Sequence, residues 1–373
     1  MVQKIDEMVQ ETFPFEEYKG VDLAQFSKEL RSLLDLEMSD EEFLTQVSVT
    51  VATLRDGHTR VEFRQLETPG IAPVDIQPVN GSFRIISVDD LDLEHLIGKK
   101  VVAIDDEPPA QRWQQRAGQV VTGRFGEAPL QGSAAFLSGE ADQNLRLLLE
   151  GGTVVELRRR RFHSAPSAER FGDIGYLRIH TFGFIDDLET IDGFINDLMD
   201  TRGLIIDLRG NGGGYPSVTD GIFGRLIDSE VEPFRLEDRN GTLHRELRAR
   251  SRGETYEGEV VILTDSRTYS ASNYLAHRMV HHDRGVLLGA KTGGGAASPQ
   301  RGAVILPGIW FQVSTHVLYP PSGSHSESGI EPTIPYSSSE ELPPGESSAV
   351  LSTLESLPDS VIQRAIRYLE EGQ

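Results

Sequence analysis

Cysteine is absent from the 373-residue chain. That excludes disulfides, cysteine nucleophiles and cysteine-ligated zinc or iron–sulfur centres together. Lysine is scarce: six residues, at 4, 19, 28, 99, 100 and 291, leaving 30 arginines among the 36 basic residues. Acidic residues number 58, and the formal net charge is −22. A surface of that sign disfavours nucleic acid and anionic membranes as partners, because both select basic surfaces. No run approaches the roughly 18 consecutive apolar residues of a membrane span. The opening stretch, MVQKIDEMVQETFPFEEYKG, lacks the apolar core of a signal peptide. A cytoplasmic location is the expectation.

Hydrophobic residues make up 38% of the chain, enough for a core. At roughly 150 residues per domain, the length predicts two to three domains. Residues 1–60 read as a helical segment: Phe26, Leu30, Leu33 and Leu34 recur at helical spacing. Ser39 opens a second helix with Asp40, Glu41 and Glu42 in its first turn. Residues 61–165 change to short β runs, with strands expected at 74–79, 83–88 and 101–104 and a hairpin over 145–161. A Gly- and Ala-rich loop is expected at 120–140.

From 166 to 345 strands alternate with helices: strands at 174–179, 204–208, 260–263 and 286–288, helices at 188–198 and 270–282. That alternation implies right-handed βαβ crossovers. Two further β runs follow at 303–306 and 310–318. The stretch 337–348 is polar and Pro-rich, and a helical tail closes the chain over 346–373. The fold class is therefore mixed α/β.

Four places carry candidate chemistry. Asp207-Leu208-Arg209-Gly210-Asn211-Gly212-Gly213-Gly214 runs from a buried strand into consecutive glycines. Amides at such a strand end can cradle a phosphate or an oxyanion, or the glycines can simply make a tight turn. No Gly-Lys-Ser/Thr follows, so it is not a P-loop. Ser270, in TDSRTYSASN, sits between a strand and a helix; it is a nucleophile at an elbow or an N-cap. His58, in LRDGHT, is a general base or a packed residue. In Gly329-Ile330-Glu331-Pro332, the proline either holds a carboxylate rigid or marks an ordinary turn.

In this order, DGHT, LRGNGGG, TYSAS, KTGGG (Lys291–Gly295) and GIEP resemble the S41 peptidases, the family of tail-specific C-terminal processing proteases and the tricorn core protease. The likeness is densest over 170–335. It implies a ClpP/crotonase-like α/β core and a serine peptidase mechanism, with peptide or protein as substrate and no cofactor or metal. Oligomeric state is left open, a homo-oligomer included. By motif position, Ser270 matches the nucleophile. Gly213 and Ala271 match the oxyanion-hole amides, with Gly212 a neighbouring candidate. The lysine base of the processing branch falls at Gly295, so it is missing. His58 and Glu331 match the base and the orienting carboxylate of the tricorn-like branch.

Two departures stand out. Relatives of that branch carry a serine where Gly57 precedes the histidine, and often an acidic residue where Asn273 stands. Lys291 is the first lysine of the KTxGxG motif, so its stem should pack and its charge stay in solvent. The resemblance also admits a non-catalytic retinoid- or lipid-binding protein on the same fold, and an esterase or acyl transferase.

Among the remaining features, residues 72–118 resemble a degenerate PDZ module. Arg158–Arg161 reads as a strand with alternate guanidiniums on opposite sides. His281 and His282, at a helix end, are expected to be structural and to favour the charged form.

Overall fold

The computed structural model describes residues 1–63, 69–79, 81–88, 91–116, 137, 139–161, 165–298, 301–335 and 360–371. The expected loop at 120–140 falls mostly, and the stretch at 337–348 wholly, outside the described residues. The same holds for the first part of the closing helical tail.

A six-stranded sheet organises the second half. Its order is Ser167–Phe171, Ile174–Arg178, Gly203–Asp207, Glu259–Thr264, Val286–Gly289 and Ile334–Pro335. The first strand is antiparallel to its neighbour and the other pairings are parallel. Both faces are covered, which is why the strands read as unbroken apolar runs. Along them the side chains alternate. Leu204, Ile206, Val260 and Ile262 face a core that includes helices Asp187–Asp197, Pro216–Phe223 and Ala271–His281. Ile205, Val261 and Leu263 face the C-terminal helix Ser360–Glu371 through Ile362, Ala365 and Leu369. Burying one such side chain contributes about 1.5–3 kcal/mol. The strands end at the glycine turn after Asp207 and at the turn before Ser270.

Five strands between 74 and 158 form a separate layer. Val74–Val79, Ser82–Val88, Lys100–Ile104, Asn144–Leu149 and Val154–Arg158 make a five-stranded antiparallel sheet. It has its own core of Ile76, Ile85, Ile104, Leu145, Leu147 and Leu157. Arg158 faces Asp142 in solvent, while the next residue, Arg159, is buried and paired with Asp105.

The N-terminal helices are Val2–Thr12, Leu23–Ser32 and Asp40–Ala52, the last opening after Ser39 as the sequence signals. Asp22 caps the second, and Ser39 with Glu42 forms a reciprocal capping box on the third. Their apolar faces share one core with Ala297, Phe311, Val313 and Val317. The strand Arg60–Phe63 then pairs with Ile309–Val313, the inner strand of a hairpin with Arg301–Leu306. The β run expected at 310–318 is split. Ser314 and Thr315 interrupt it, and His316–Tyr319 joins another sheet beside Phe234–Asp238.

Candidate active site

Ser270 stands at the turn between Glu259–Thr264 and Ala271–His281 with φ 60° and ψ −123°. A non-glycine residue at positive φ is strained, by about 1–3 kcal/mol, and persists where its surroundings hold it. Two hydrogen bonds hold it here. The Ser270 amide donates to Gly294 O at 2.9 Å, and the Tyr269 amide to Asn211 O at 3.0 Å. The hydroxyl does not cap the helix. Instead, Ser270 Oγ lies 2.8 Å from His58 Nε2.

Asn211 is the staple of this corner. It is fully buried; its Nδ2 donates to Ile179 O at 2.9 Å and its Oδ1 accepts from the Gly213 amide at 2.9 Å. It thereby fastens the ends of two neighbouring strands to the glycine turn and to the residue before Ser270. Beneath it, Asp207 is paired with Arg178 and Arg209 and accepts from the Tyr176 hydroxyl at 2.8 Å. Burial works against this carboxylate, but the two guanidiniums outweigh it and hold its pKa far below the ordinary range.

His58 arrives from a segment 212 residues away. Its carbonyl accepts from Gln312 Nε2 at 2.9 Å, and the next residue, Thr59, accepts from the Ser314 amide at 3.0 Å. The hairpin over 301–313 therefore positions His58. The imidazole is buried, and burial pushes its pKa down to about 4; Asp56 opposes this, while Arg60 and Lys19 add to it. It is a neutral acceptor at pH 7, the form a general base requires.

Gly213 has φ 101°, and a Cβ there would lie 2.7 Å from Ser270 Cβ and 2.8 Å from Ala271 N. Only glycine lets the turn come this close. Ala271 is the first residue of the helix, so its amide is one of the free helix-terminal donors beside Oγ. The Gly213 amide, expected as the other oxyanion donor, is directed to Asn211 Oδ1. Gly212 is exposed, with open space at its Cβ position.

Glu331 is not brought to His58. Hydrogen bonds between Ile330 and Thr292 pin its turn, from Ile330 N to Thr292 Oγ1 at 2.7 Å and from Thr292 N to Ile330 O at 3.1 Å. Its carboxylate is 72% exposed and pairs with Lys291 at 2.6 Å. The lysine charge expected in solvent is thus partnered there.

The buried carboxylates near His58 are two others, Asp56 and Glu327. They share Lys19: Nζ is 2.6 Å from Glu327 Oε1, 3.4 Å from Asp56 Oδ1 and 2.9 Å from Arg55 O. All three side chains are at most 3% exposed. Burial raises the Glu327 carboxyl to about 7, with Asp56 adding and Lys19 opposing. Burial also disfavours the Asp56 charge, but Lys19 and His58 outweigh it and lower its pKa. Asn273 holds the loop that carries Glu327, donating to Ser326 Oγ at 2.8 Å and accepting from Thr292 Oγ1 at 2.7 Å.

Lys19 and Glu327 escaped the sequence reading. Lys19 lies in no motif, and Glu327 stands four residues before a glutamate that fitted the motif register better. The available signal was the scarcity of lysine beside an apolar run containing Phe13 and Phe15. Nor does His282 favour its charged form: burial, with His281 and Arg278 beside it, pushes its pKa down to about 4.

No protein of curated function matches the chain by sequence. Residues 173–336 match the profile of peptidase family S41. That match spans the α/β core that carries Ser270 and supports kinship with peptidase family S41. The match supports a serine peptidase, a hydrolase whose substrates would be peptides or proteins. Among solved structures, the photosystem II D1 C-terminal processing protease is 17% identical with a TM-score of 0.62, covering 95% of this chain and 96% of its own. Mature CPAF, solved in complex with lactacystin, is 15% identical with a TM-score of 0.66, covering 100% and 99%. The tricorn protease is 17% identical with a TM-score of 0.51; the alignment covers all of this chain and 36% of tricorn. At these identities the likeness is one of fold.

Proposed function

We propose that the protein cleaves peptides through a Ser270 acyl-enzyme with His58 as general base. The observation that carries the reading is the 2.8 Å contact between Ser270 Oγ and His58 Nε2 at a strained strand-to-helix elbow. A serine hydroxyl at neutral pH needs such a base, and Gly295 supplies none where the other branch of the family places lysine. In acylation, the Oγ–H proton passes to Nε2 as Oγ bonds to the carbonyl carbon. The carbonyl electron pair moves onto oxygen, beside the Ala271 amide at the helix N-terminus. Collapse of the tetrahedral species expels the amine, which takes the proton from Nε2. Water then repeats the sequence to release the acid. Glu331, exposed and paired with Lys291, has no part in this scheme.

Intact-mass labelling with a fluorophosphonate tests it on the wild type, Ser270→Ala and His58→Ala. One adduct mapped to Ser270, absent from the first variant and strongly slowed in the second, is the expected result. No adduct on folded wild-type protein, or an undiminished one on Ser270→Ala, overturns it. Matched ester and peptide substrates then separate peptidase from esterase turnover.

A further inference from the structure

Two glycines at this site have the same neighbour. A Cβ at Gly57 would lie 2.2 Å from the Tyr269 hydroxyl, and a Cβ at Gly295 would lie 2.5 Å from its ring. The phenol thus fills the space that side chains at both positions would occupy. Its hydroxyl is 3.3 Å from His58 Nδ1, the ring nitrogen opposite the one facing Ser270. The two rings lie 5.0 Å apart at 31°. Tyr269 is only 3% exposed. Its own amide is fixed by Asn211, and the next residue is the nucleophile.

We propose that Tyr269 is the positioning residue for His58, its hydroxyl accepting from Nδ1–H. The proposal rests on the Ser270–His58 reading and names what fixes the imidazole in it. Nε2 can accept the serine proton only if Nδ1 carries the ring proton, and that tautomer needs an acceptor at Nδ1. Among the described residues no carboxylate hydrogen-bonds to Nδ1; the phenol oxygen is the partner. After burial itself, Glu327 and then Asp56 are the largest influences raising the phenol pKa, which keeps the phenol protonated. During acylation the phenol keeps its proton: the serine proton goes to Nε2, and the imidazolium so formed donates from Nδ1 to Tyr269. Gly57 and Gly295 are accordingly the two vacancies that admit the ring.

The charged groups that bear on His58 and Tyr269 are Asp56, Glu327, Lys19 and Arg60. None is altered in Tyr269→Phe, which keeps the ring and removes only the hydroxyl. The probe is a fluorophosphonate, and the rate of Ser270 phosphonylation is followed from pH 2.5 to 9 by brief pH jumps. Expected for Tyr269→Phe is a plateau rate about 100-fold below wild type, with unchanged probe affinity. The loss is smaller than the roughly 10⁴-fold seen when a carboxylate orienter is replaced, because a phenol is neutral. The midpoint of the acid limb should also move to lower pH, since the imidazolium loses an acceptor. Gly57→Ala, which must displace the hydroxyl, should reproduce both changes.

A wild-type plateau in both variants overturns the proposal. So does a lowered plateau with an unmoved midpoint, which assigns the phenol to packing alone. If wild type itself is not labelled at Ser270, or labels equally without His58, the catalytic reading fails rather than the role of Tyr269.

Discussion

Replacing Lys19 by methionine should make stability steeply pH-dependent. The ammonium is 3% exposed and is the cation shared by Asp56 and Glu327, themselves 0% and 2% exposed. Methionine keeps much of the stem that packs near Phe15 and removes the charge. Breaking a buried ion pair from one side costs about 3–5 kcal/mol, because the partner is left uncompensated. The wild type already shows the effect in part. Glu327 titrates near 7 in the fold against a reference of 4.5. A carboxyl with a raised folded-state pKa gives its full stabilisation below the reference value and loses it as pH rises through the folded value. That difference corresponds to about 3 kcal/mol lost between pH 4.5 and 7. Without Lys19 the Glu327 pKa climbs further and the loss extends to higher pH. Urea denaturation of both proteins at pH 5 and pH 8 measures this. We expect a deficit on the order of 3–5 kcal/mol at pH 8, smaller by at least about 1 kcal/mol at pH 5, where Glu327 is largely protonated. Equal deficits at the two pH values, or less than about 1 kcal/mol at pH 8, would refute the buried-triad argument.

Other substitutions probe the same corner. Ser270→Gly should be more stable than Ser270→Ala by about 1–2 kcal/mol in denaturant titration, since only glycine relieves the positive φ; both should be inactive, by a factor on the order of 10⁶ in kcat. Glu331→Gln should retain wild-type turnover and stability within about 0.5 kcal/mol, because its ion pair with Lys291 is largely solvated; a loss of activity like that of His58→Ala would return Glu331 to the site. His58, held near 4 by burial, should stay a competent base well below pH 6.5. The acid limb it contributes to kcat/KM should therefore lie near 4, and a limb that persists near 6.5 in Glu327→Gln would contradict a desolvated imidazole.

Local chemistry in the sequence determined a good deal. Strands covered on both faces leave continuous apolar runs, so 174–179, 204–208 and 260–263 were legible without any contact. Caps are local too, and Ser39 starts its helix as the spacing requires. The elbow at Ser270 was legible because it depends on a strand, a turn and a helix adjacent in the chain. The tertiary structure decided what faces Ser270 and what surrounds His58. His58 reaches Ser270 only because Arg60–Phe63 pairs with a hairpin some 250 residues later. The choice between Glu327 and Glu331 turns on burial: four residues apart, one carboxylate is sealed against Lys19 and the other lies in solvent. The meaning of Gly57 and Gly295 was likewise invisible along the chain. Each reads there as a missing side chain, and only in space does one phenol fill both gaps, because exclusion of one group by another depends on distance and not on sequence order.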